Sequence, residues 1–190
     1  MDKTPPDYEI RRLTERDAEA WRALRLQALK DHPEAFATAY EEWADRDLAD
    51  FAARLAGWVE PDALFGLFVA GALEGSAGFV VKQGLKERHK GSMVAVYLRP
   101  HLRGGGLGGA LVQRVIDHAR ERVDLLQAGV AHTNAVAKRT YFDLGFKTYG
   151  VEPASIRVDG VDHDEELIWL DFRSGADSLP DAAISDRRAP

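Results

Sequence analysis

The sequence predicts an α/β (α+β) domain built on a mixed, mostly antiparallel sheet of about seven strands, with helices on both faces. Apolar runs of strand length alternate with amphipathic stretches along residues 8–172. Between Met93 and Ala131 a strand, a glycine-rich turn, a helix and a second strand predict one parallel βαβ unit. The length of 190 residues suits one domain, flanked by an N-terminal extension (1–7) and a tail (173–190) whose composition predicts disorder.

The individual elements follow from apolar periodicity and from capping residues. The runs with strand character are 8–13, 64–70, 77–81, 93–98, 125–131, 146–151 and 167–172. The stretches with helical spacing are 15–31, 36–43, 48–55, 107–122 and 134–144. The second and third are expected to form either two short helices or one kinked helix. Thr14 and Asp47 are expected N-caps, and Gly145 is an expected C-cap. Gly71–Gly75 is expected to form a hairpin loop.

The composition excludes several classes of protein. The chain has no Cys, which rules out disulfides, a Cys nucleophile and thiolate metal sites, and we expect no metal. The net charge of −6 argues against nucleic-acid binding, which needs a basic field, and suits a cationic substrate. No apolar run approaches the ~20 residues that span a bilayer, and the polar first residues lead us to expect no signal peptide. We therefore expect a cytoplasmic protein without a membrane partner.

The glycine-rich turn is the first candidate site. Its five glycines all lie within Gly104–Gly109, where an apolar strand meets a helix. Glycine has no Cβ, so a ligand can approach its backbone closely. The first turn of a helix also carries unpaired N–H groups and a partial positive charge. This arrangement predicts a phosphate-binding site.

Other interpretations of this turn fit less well. Gly104-x-Gly106-x-x-Gly109 formally matches the dinucleotide fingerprint, but Arg99–Arg103 separate the strand from the first glycine. Asp124 also precedes the next strand, whereas the carboxylate that binds a ribose should end it. A P-loop is excluded because no Gly-Lys-Ser/Thr follows. A turn that binds nothing stays open, although its glycines cost conformational entropy.

Two motifs lie on either side of the predicted βαβ unit's second strand. The first is Arg103-Gly-Gly-Gly106-Leu-Gly108, which follows an apolar strand and opens a helix. The second is Asn134-x-x-Ala137-x-x-x-Tyr141-x-x-Leu144-Gly145-Phe146. Together they resemble the motifs of the GCN5-related N-acetyltransferase (GNAT) superfamily and occur in its order, with about 28 residues between Gly106 and Asn134. The resemblance covers roughly residues 8–172.

The resemblance implies the GNAT fold, with its two parallel strands splayed apart, and acetyl transfer from acetyl-CoA to an amine. The pyrophosphate of coenzyme A would lie on the N–H groups of the turn. The pantetheine arm would pair with the first splayed strand and contact Asn134, and Tyr141 would protonate the departing thiolate. The implied cofactor-binding residues are Val96, Tyr97, Leu98, Arg103, Gly104, Gly105, Gly106, Leu107, Gly108, Gly109 and Asn134.

The sequence does not reveal a general base. An alkylammonium must lose a proton at a cost of ~4 kcal/mol at neutral pH. The position of the base in some relatives is Gly129 here, and Met93–Leu98 carries no carboxylate or His. The open candidates are His132, His89, Glu41 and Glu42. The acidic run Asp162–Glu166 predicts a solvated hairpin, and its charge would attract a cationic amine.

Several alternatives remain after the resemblance. A non-catalytic acyl-CoA-binding module is the second interpretation, and an NAD(P)-binding protein the third. The acceptor amine could belong to a small molecule, a protein N-terminus or a lysine. Tyr40 and Trp43 either pack in the core or line a substrate pocket. A monomer and a homodimer both stay open.

Overall fold

The structure, a computed structural model, describes residues 6–173. One seven-stranded sheet has the order β1-β2-β3-β4-β5-β7-β6, and all its neighbouring pairs are antiparallel except β4–β5. The strands are β1 (Tyr8–Arg12), β2 (Ala63–Val69), β3 (Ala72–Val81), β4 (Lys90–Leu98), β5 (Leu125–Ala131), β6 (Lys147–Val158) and β7 (Val161–Asp171). The predicted mixed sheet with one parallel βαβ unit is confirmed.

Helices cover both faces of the sheet, as predicted. They are α1 (Ala18–Asp31), α2 (Glu41–Ala44), α3 (Leu48–Ala56), α4 (Leu107–Arg120) and α5 (Ala135–Asp143). Short 3-10 turns lie at Glu15–Asp17, Pro33–Ala35 and Pro100–Leu102. Within the described residues, none of the helices has the length and apolarity needed to cross a membrane.

Two apolar clusters hold these layers together. Leu111 and Val115 of α4 pack with Phe79 of β3 and Leu126 of β5 on one face. On the other face α1 and α3 pack against β2 and the ring of Tyr97. Successive residues at the end of β4 therefore point into different clusters, whereas β5 contributes Leu126, Ala128 and Val130 to the cluster under α4 only.

The region after α1, expected to form two short helices or one kinked helix, forms two short helices, α2 and α3, and α2 is shorter than the aromatic spacing predicts. Only Glu41–Ala44 of this segment is α-helical, although Trp43 is well placed for packing. Its ring meets the edge of Phe51 at a centroid distance of 4.9 Å and that of Trp21 at 6.1 Å. The aromatic spacing thus reflects contacts with α1 and α3, and Trp43 is partly buried against the core.

Two hairpins are longer than predicted because their turns are tight. Ala70 and Gly71 have positive φ angles of 49° and 81°, so β3 begins at Ala72 and not after Gly75. Asp159 and Gly160, with φ of 49° and 79°, likewise join β6 to β7. Two successive residues with positive φ are typical of turns that match the right-handed twist of paired strands.

The predicted caps are confirmed. The Asp17 carboxylate accepts from the Thr14 N–H at 2.9 Å, and Asp47 accepts from the Asp50 N–H at 3.1 Å. Gly145, with φ of 93°, directly follows Leu144, the C-cap of α5, and takes the left-handed conformation typical of a helix end. The tail 173–190, apart from Arg173, and most of the extension 1–7 lie outside the described residues, so these domain boundaries stay predictions.

Candidate active site

The parallel strands β4 and β5 separate soon after they begin. They pair from Lys90 and Leu125 to Ser92 and Gln127, and beyond that point each continues for several residues without the other. The facing backbone edges of the two strands are therefore available to an extended guest. The splayed pair that the family resemblance implied is confirmed.

A β-bulge shapes the open part of β4. Ala95 has φ of 54°, and the register between β3 and β4 shifts between Ser76 and Gly78. The Ser76 hydroxyl donates to the Ala95 carbonyl at 3.1 Å and supports the bulge. Such a bulge bends the strand and re-aims the residues that follow it.

The three predicted cofactor-binding residues of β4 follow this bulge. Val96 and Leu98 face the cluster under α4, whereas the Tyr97 ring faces α1. The Tyr97 hydroxyl is buried without a hydrogen-bond partner in the described part of the chain. These side chains pack on the two faces, so only the backbone of the three residues lines the gap.

The glycine-rich turn presents open backbone at the start of α4. Gly104 and Gly106 have φ angles of 82° and 84°, which only glycine adopts readily. A Cβ built on Gly104, Gly105 or Gly106 would meet no atom within 4 Å. Ala110 makes the first helical bond, to the Gly106 carbonyl at 3.0 Å, and the N–H groups of residues 104–109 have no backbone acceptor within residues 6–173. The turn therefore fits a phosphate group.

The other residues of the turn differ in exposure. The side chain of Leu107 is buried, so this residue offers only its backbone. A Cβ on Gly108 would lie 3.8 Å from Leu98, and one on Gly109 would lie 4.0 Å from Thr140. The first turn of α4 thus sits close to both the end of β4 and the flank of α5.

Arg103 is committed to contacts within the protein. Its Nε donates to the Leu98 carbonyl at 2.9 Å, and its Nη2 lies 3.1 Å from Nε2 of His32. The guanidinium also stacks over the ring of Tyr97, at 5.7 Å from its centroid. Arg103 therefore holds the turn against β4 and the end of α1, a role that the motif alone did not specify.

Asn134 is the N-cap of α5. Its Oδ1 accepts from the Ala137 N–H at 3.1 Å, which leaves the two N–H donors of the side-chain amide free for a ligand. The expectation that Asn134 opens a helix is confirmed, and its contact with a cofactor stays a prediction.

Tyr141 lies on the inner side of α5. The residue is 6% exposed and packs in one cluster with Leu98 of β4 and Val130 of β5, so the phenol lies among residues of both opened strands. Burial alone raises the pKa of Tyr141 to about 12. The group is a neutral hydrogen-bond donor throughout the physiological range.

The candidate bases lie at separate places. His89 is at the closed end of the β4–β5 pair, where its carbonyl accepts from the Asp124 N–H at 2.8 Å. His132 is exposed just after β5, and Glu41 and Glu42 are exposed on α2. The structure does not bring these four residues together.

The acidic run 162–166 lies in β7 and forms the hairpin that the sequence predicts. Asp162 pairs with Arg157, and Glu166 pairs with Lys138 of α5 at 3.1 Å. The Glu165 carboxylate extends over Gly129 of β5, a contact that no sequence pattern indicated. Within residues 6–173, no group of three His, Cys, Asp or Glu side chains is placed to hold a metal ion.

Comparison with known sequences agrees with this geometry. The model of the acetyltransferase (GNAT) family matches residues 11–146. This chain belongs to the GNAT acetyltransferase family, as the two motifs predict, and acetyl-CoA is the family's co-substrate.

The curated relatives are longer proteins. The mycothiol acetyltransferase of Thermobispora bispora is 32% identical over 140 residues, which cover 72% of this chain and 45% of that protein. The mycothiol acetyltransferase of Kineococcus radiotolerans is 35% identical over 134 residues, which cover 68% and 39%. The chain thus spans less than half the length of these relatives.

Solved structures show the same fold. An acetyltransferase of the GNAT family from Streptococcus pneumoniae superimposes with a TM-score of 0.78 at 18% identity, covering 88% of this chain and 100% of that chain. The yncA protein of Salmonella typhimurium, solved with its cofactor acetyl-CoA, has a TM-score of 0.77 at 25% identity, covering 93% and 99%.

Proposed function

We propose that this chain transfers an acetyl group from acetyl-CoA directly to the amine of a small molecule or protein. One observation supports this function above the others. The gap between β4 and β5 continues into the open backbone of Gly104–Gly106, and the buried phenol of Tyr141 packs with residues of both strands. A phosphate-binding turn, an extended groove and a proton donor thus lie in the same order as the pyrophosphate, the pantetheine arm and the thioester of acetyl-CoA.

Successive parts of acetyl-CoA would contact the turn, the edge of β4 and α5. The N–H groups of residues 104–109 are free to bind the pyrophosphate, helped by the positive end of the α4 dipole. The arm would then run along the edge of β4 that faces β5, where the backbone after Ala95 has no strand partner within residues 6–173. The free donors of Asn134 would hydrogen-bond the arm from the α5 side.

Tyr141 would act as a donor to the departing sulfur. Its raised pKa of about 12 keeps the phenol protonated, but lies above the ~8.5 of a thiol. Complete transfer of the phenol proton to the thiolate is therefore unfavourable unless the phenolate receives another proton. The attacking ammonium supplies that proton, because its nitrogen loses two protons when it becomes an amide.

An amine that is cationic at neutral pH is the proposed acceptor. The chain carries a net charge of −6, and the β6–β7 hairpin next to β5 is acidic. Because the curated relatives are named mycothiol acetyltransferases, a mycothiol-type amine should be among the acceptors tested.

Thermal shift and acetyl transfer test the proposal together. Acetyl-CoA and CoA should raise the melting temperature, since a ligand of the native state stabilises it, whereas NAD(P) should not. Thiol release from acetyl-CoA should then appear with at least one class in a panel of polyamines, amino acids, aminoglycosides, mycothiol-type amines and peptide N-termini. Binding without transfer would favour the acyl-CoA-binding module, and a shift with NAD(P) alone would contradict the proposal.

A further inference from the structure

The carboxylate of Glu165 occupies the space in which a side chain at Gly129 would lie. A Cβ built on Gly129 would be 2.8 Å from Oε2 and 3.1 Å from Oε1 of Glu165. Gly129 is the second residue of β5 beyond its last pair with β4, so the carboxylate lies at the opening of the gap. The Ser155 hydroxyl donates to Oε2 at 3.0 Å and helps to orient the group.

Glu165 and Tyr141 reach this gap from opposite faces of the sheet. Ala128 and Val130 point into the cluster that contains Tyr141, so Gly129 between them faces the other side. The ion pair between Glu166 and Lys138 of α5 leads to the same assignment. Glu166 points to the face that α5 covers, so Glu165, its neighbour on β7, points to the opposite face. The carboxylate and the phenol therefore lie on opposite sides of the gap between β4 and β5.

Among the described residues, no cationic side chain forms an ion pair with this carboxylate. Glu165 has no ion pair within residues 6–173, and Glu152 of β6, which lies directly opposite it, has none either. Like charges at directly opposed positions destabilise a sheet. A bound ammonium would remove this repulsion, which makes the site suited to a cationic amine.

We propose that Glu165, reaching across from β7, is the general base that deprotonates the acceptor ammonium. This inference rests on the proposed acetyl transfer. The Glu165 carboxylate takes one proton from the ammonium, and the free amine nitrogen attacks the thioester carbon to form a C–N bond. As the C–S bond breaks, Tyr141 gives its proton to the sulfur. The second nitrogen proton restores the phenol, and Glu165 later releases its proton to solvent.

Several other ionisable side chains lie near Glu165 and determine the electrostatic potential at its carboxylate. Glu152 stands opposite on β6, and His163 lies two residues away on the same face of β7. The 3-10 turn Pro33–Ala35, which lies against β5 and β6, adds Glu34, whose carboxylate is 3.4 Å from His32. Carboxylates therefore predominate among the ionisable groups around Glu165.

A Glu165→Gln variant tests the base. Turnover with an aliphatic amine should fall roughly 10²–10⁴-fold while the Kd for acetyl-CoA stays the same. The deficit should shrink as pH rises toward the amine's own pKa, and with an aromatic amine that is already neutral at pH 7. Glu19→Gln, an exposed change on α1 that also removes one negative charge, should keep wild-type turnover.

Relocating the carboxylate separates chemistry from folding. The double variant Glu165→Ala/Gly129→Asp places a carboxylate in the vacated space and should regain activity over Glu165→Ala/Gly129→Ala. Wild-type turnover in Glu165→Gln, or an equal deficit with charged and neutral amines, would overturn the inference and leave the proposed function intact. Failure of the wild-type protein to acetylate any amine would overturn both.

Discussion

The Nε of Arg103 donates a hydrogen bond to the Leu98 carbonyl at 2.9 Å, joining the glycine-rich turn to the last residue of β4. The turn that would bind the pyrophosphate and the strand that would bind the arm are thus held in one geometry. The same guanidinium reaches His32 at the end of α1. Both predicted halves of the co-substrate site depend on this side chain.

Replacing Arg103 should weaken co-substrate binding more than it slows chemistry. A hydrogen bond from a charged donor contributes ~1.5–3 kcal/mol, so Arg103→Ala should raise the KM for acetyl-CoA roughly tenfold or more and change kcat little. Steady-state kinetics measures both constants. Arg46→Ala, which also removes an arginine stacked on an aromatic ring, is the control and should leave KM unchanged. An unaltered KM in Arg103→Ala would refute this role.

Asn134 should have two separable roles. Asn134→Ala removes the cap on α5 and should cost ~1 kcal/mol of unfolding free energy. Asn134→Asp keeps an acceptor for the Ala137 N–H but loses the amide donors, so stability should persist while the KM for acetyl-CoA rises. Urea titration and kinetics distinguish the two effects. Wild-type kinetics in Asn134→Asp would mean that Asn134 is only a cap.

Gly106 should matter for stability and for binding. Its φ of 84° disfavours any side chain, so Gly106→Ala should destabilise the protein by ~1–2 kcal/mol and raise the KM for acetyl-CoA. Gly71, with φ of 81° and equally open surroundings, lies in the β2–β3 turn. Gly71→Ala should therefore cost similar stability at unchanged KM. Equal KM values in the two variants would argue against a phosphate site at Gly106.

His118 should make the protein sensitive to acid. Its ring is buried against the edges of Phe65 and Phe79, with Nε2 2.9 Å from the Pro61 carbonyl, and burial lowers the pKa of His118 in the folded state. The imidazole of His118 is therefore protonated at a higher pH in the unfolded chain than in the native protein. The contribution of His118 to the free energy of unfolding is fully present above pH ~6.5 and is lost as the pH falls below that value.

Urea titrations at pH 8 and pH 5 measure this contribution. His118→Gln should show a smaller loss of unfolding free energy between the two pH values than the wild-type protein. His89→Gln, which changes an exposed histidine, should show the wild-type loss. Identical losses in His118→Gln and the wild type would contradict the assignment.

Local signals in the sequence predicted most of the fold. The caps at Thr14, Asp47 and Gly145 and the βαβ unit around the glycines each depend on neighbouring residues. The N-terminal part of β7 escaped prediction because its polar residues lack an apolar rhythm, and pairing with β5 and β6 makes it a strand. The approach of Glu165 to Gly129 depends on the β5–β7 register, which no local pattern encodes.

The features of the candidate site also fall into two groups, those with a local sequence motif and those set by packing between distant residues. Gly104–Gly109 and Asn134 lie at helix starts, and simple motifs found them. The contact between Arg103 and His32 links residues 71 positions apart, so it follows from the packing of α1 against β4 and not from either motif. Likewise, the pKa of Tyr141 follows from its burial among residues of β4, β5 and α5.

Single-turnover acetyl transfer by Tyr141→Phe tests the central claim most directly. The variant keeps the buried ring and removes only the proton donor, so the Kd for acetyl-CoA should stay the same while transfer to a competent amine slows ~10²–10⁴-fold. Tyr8→Phe, an exposed change on the edge strand β1, should behave as wild type. Transfer by Tyr141→Phe at the wild-type rate would contradict the account.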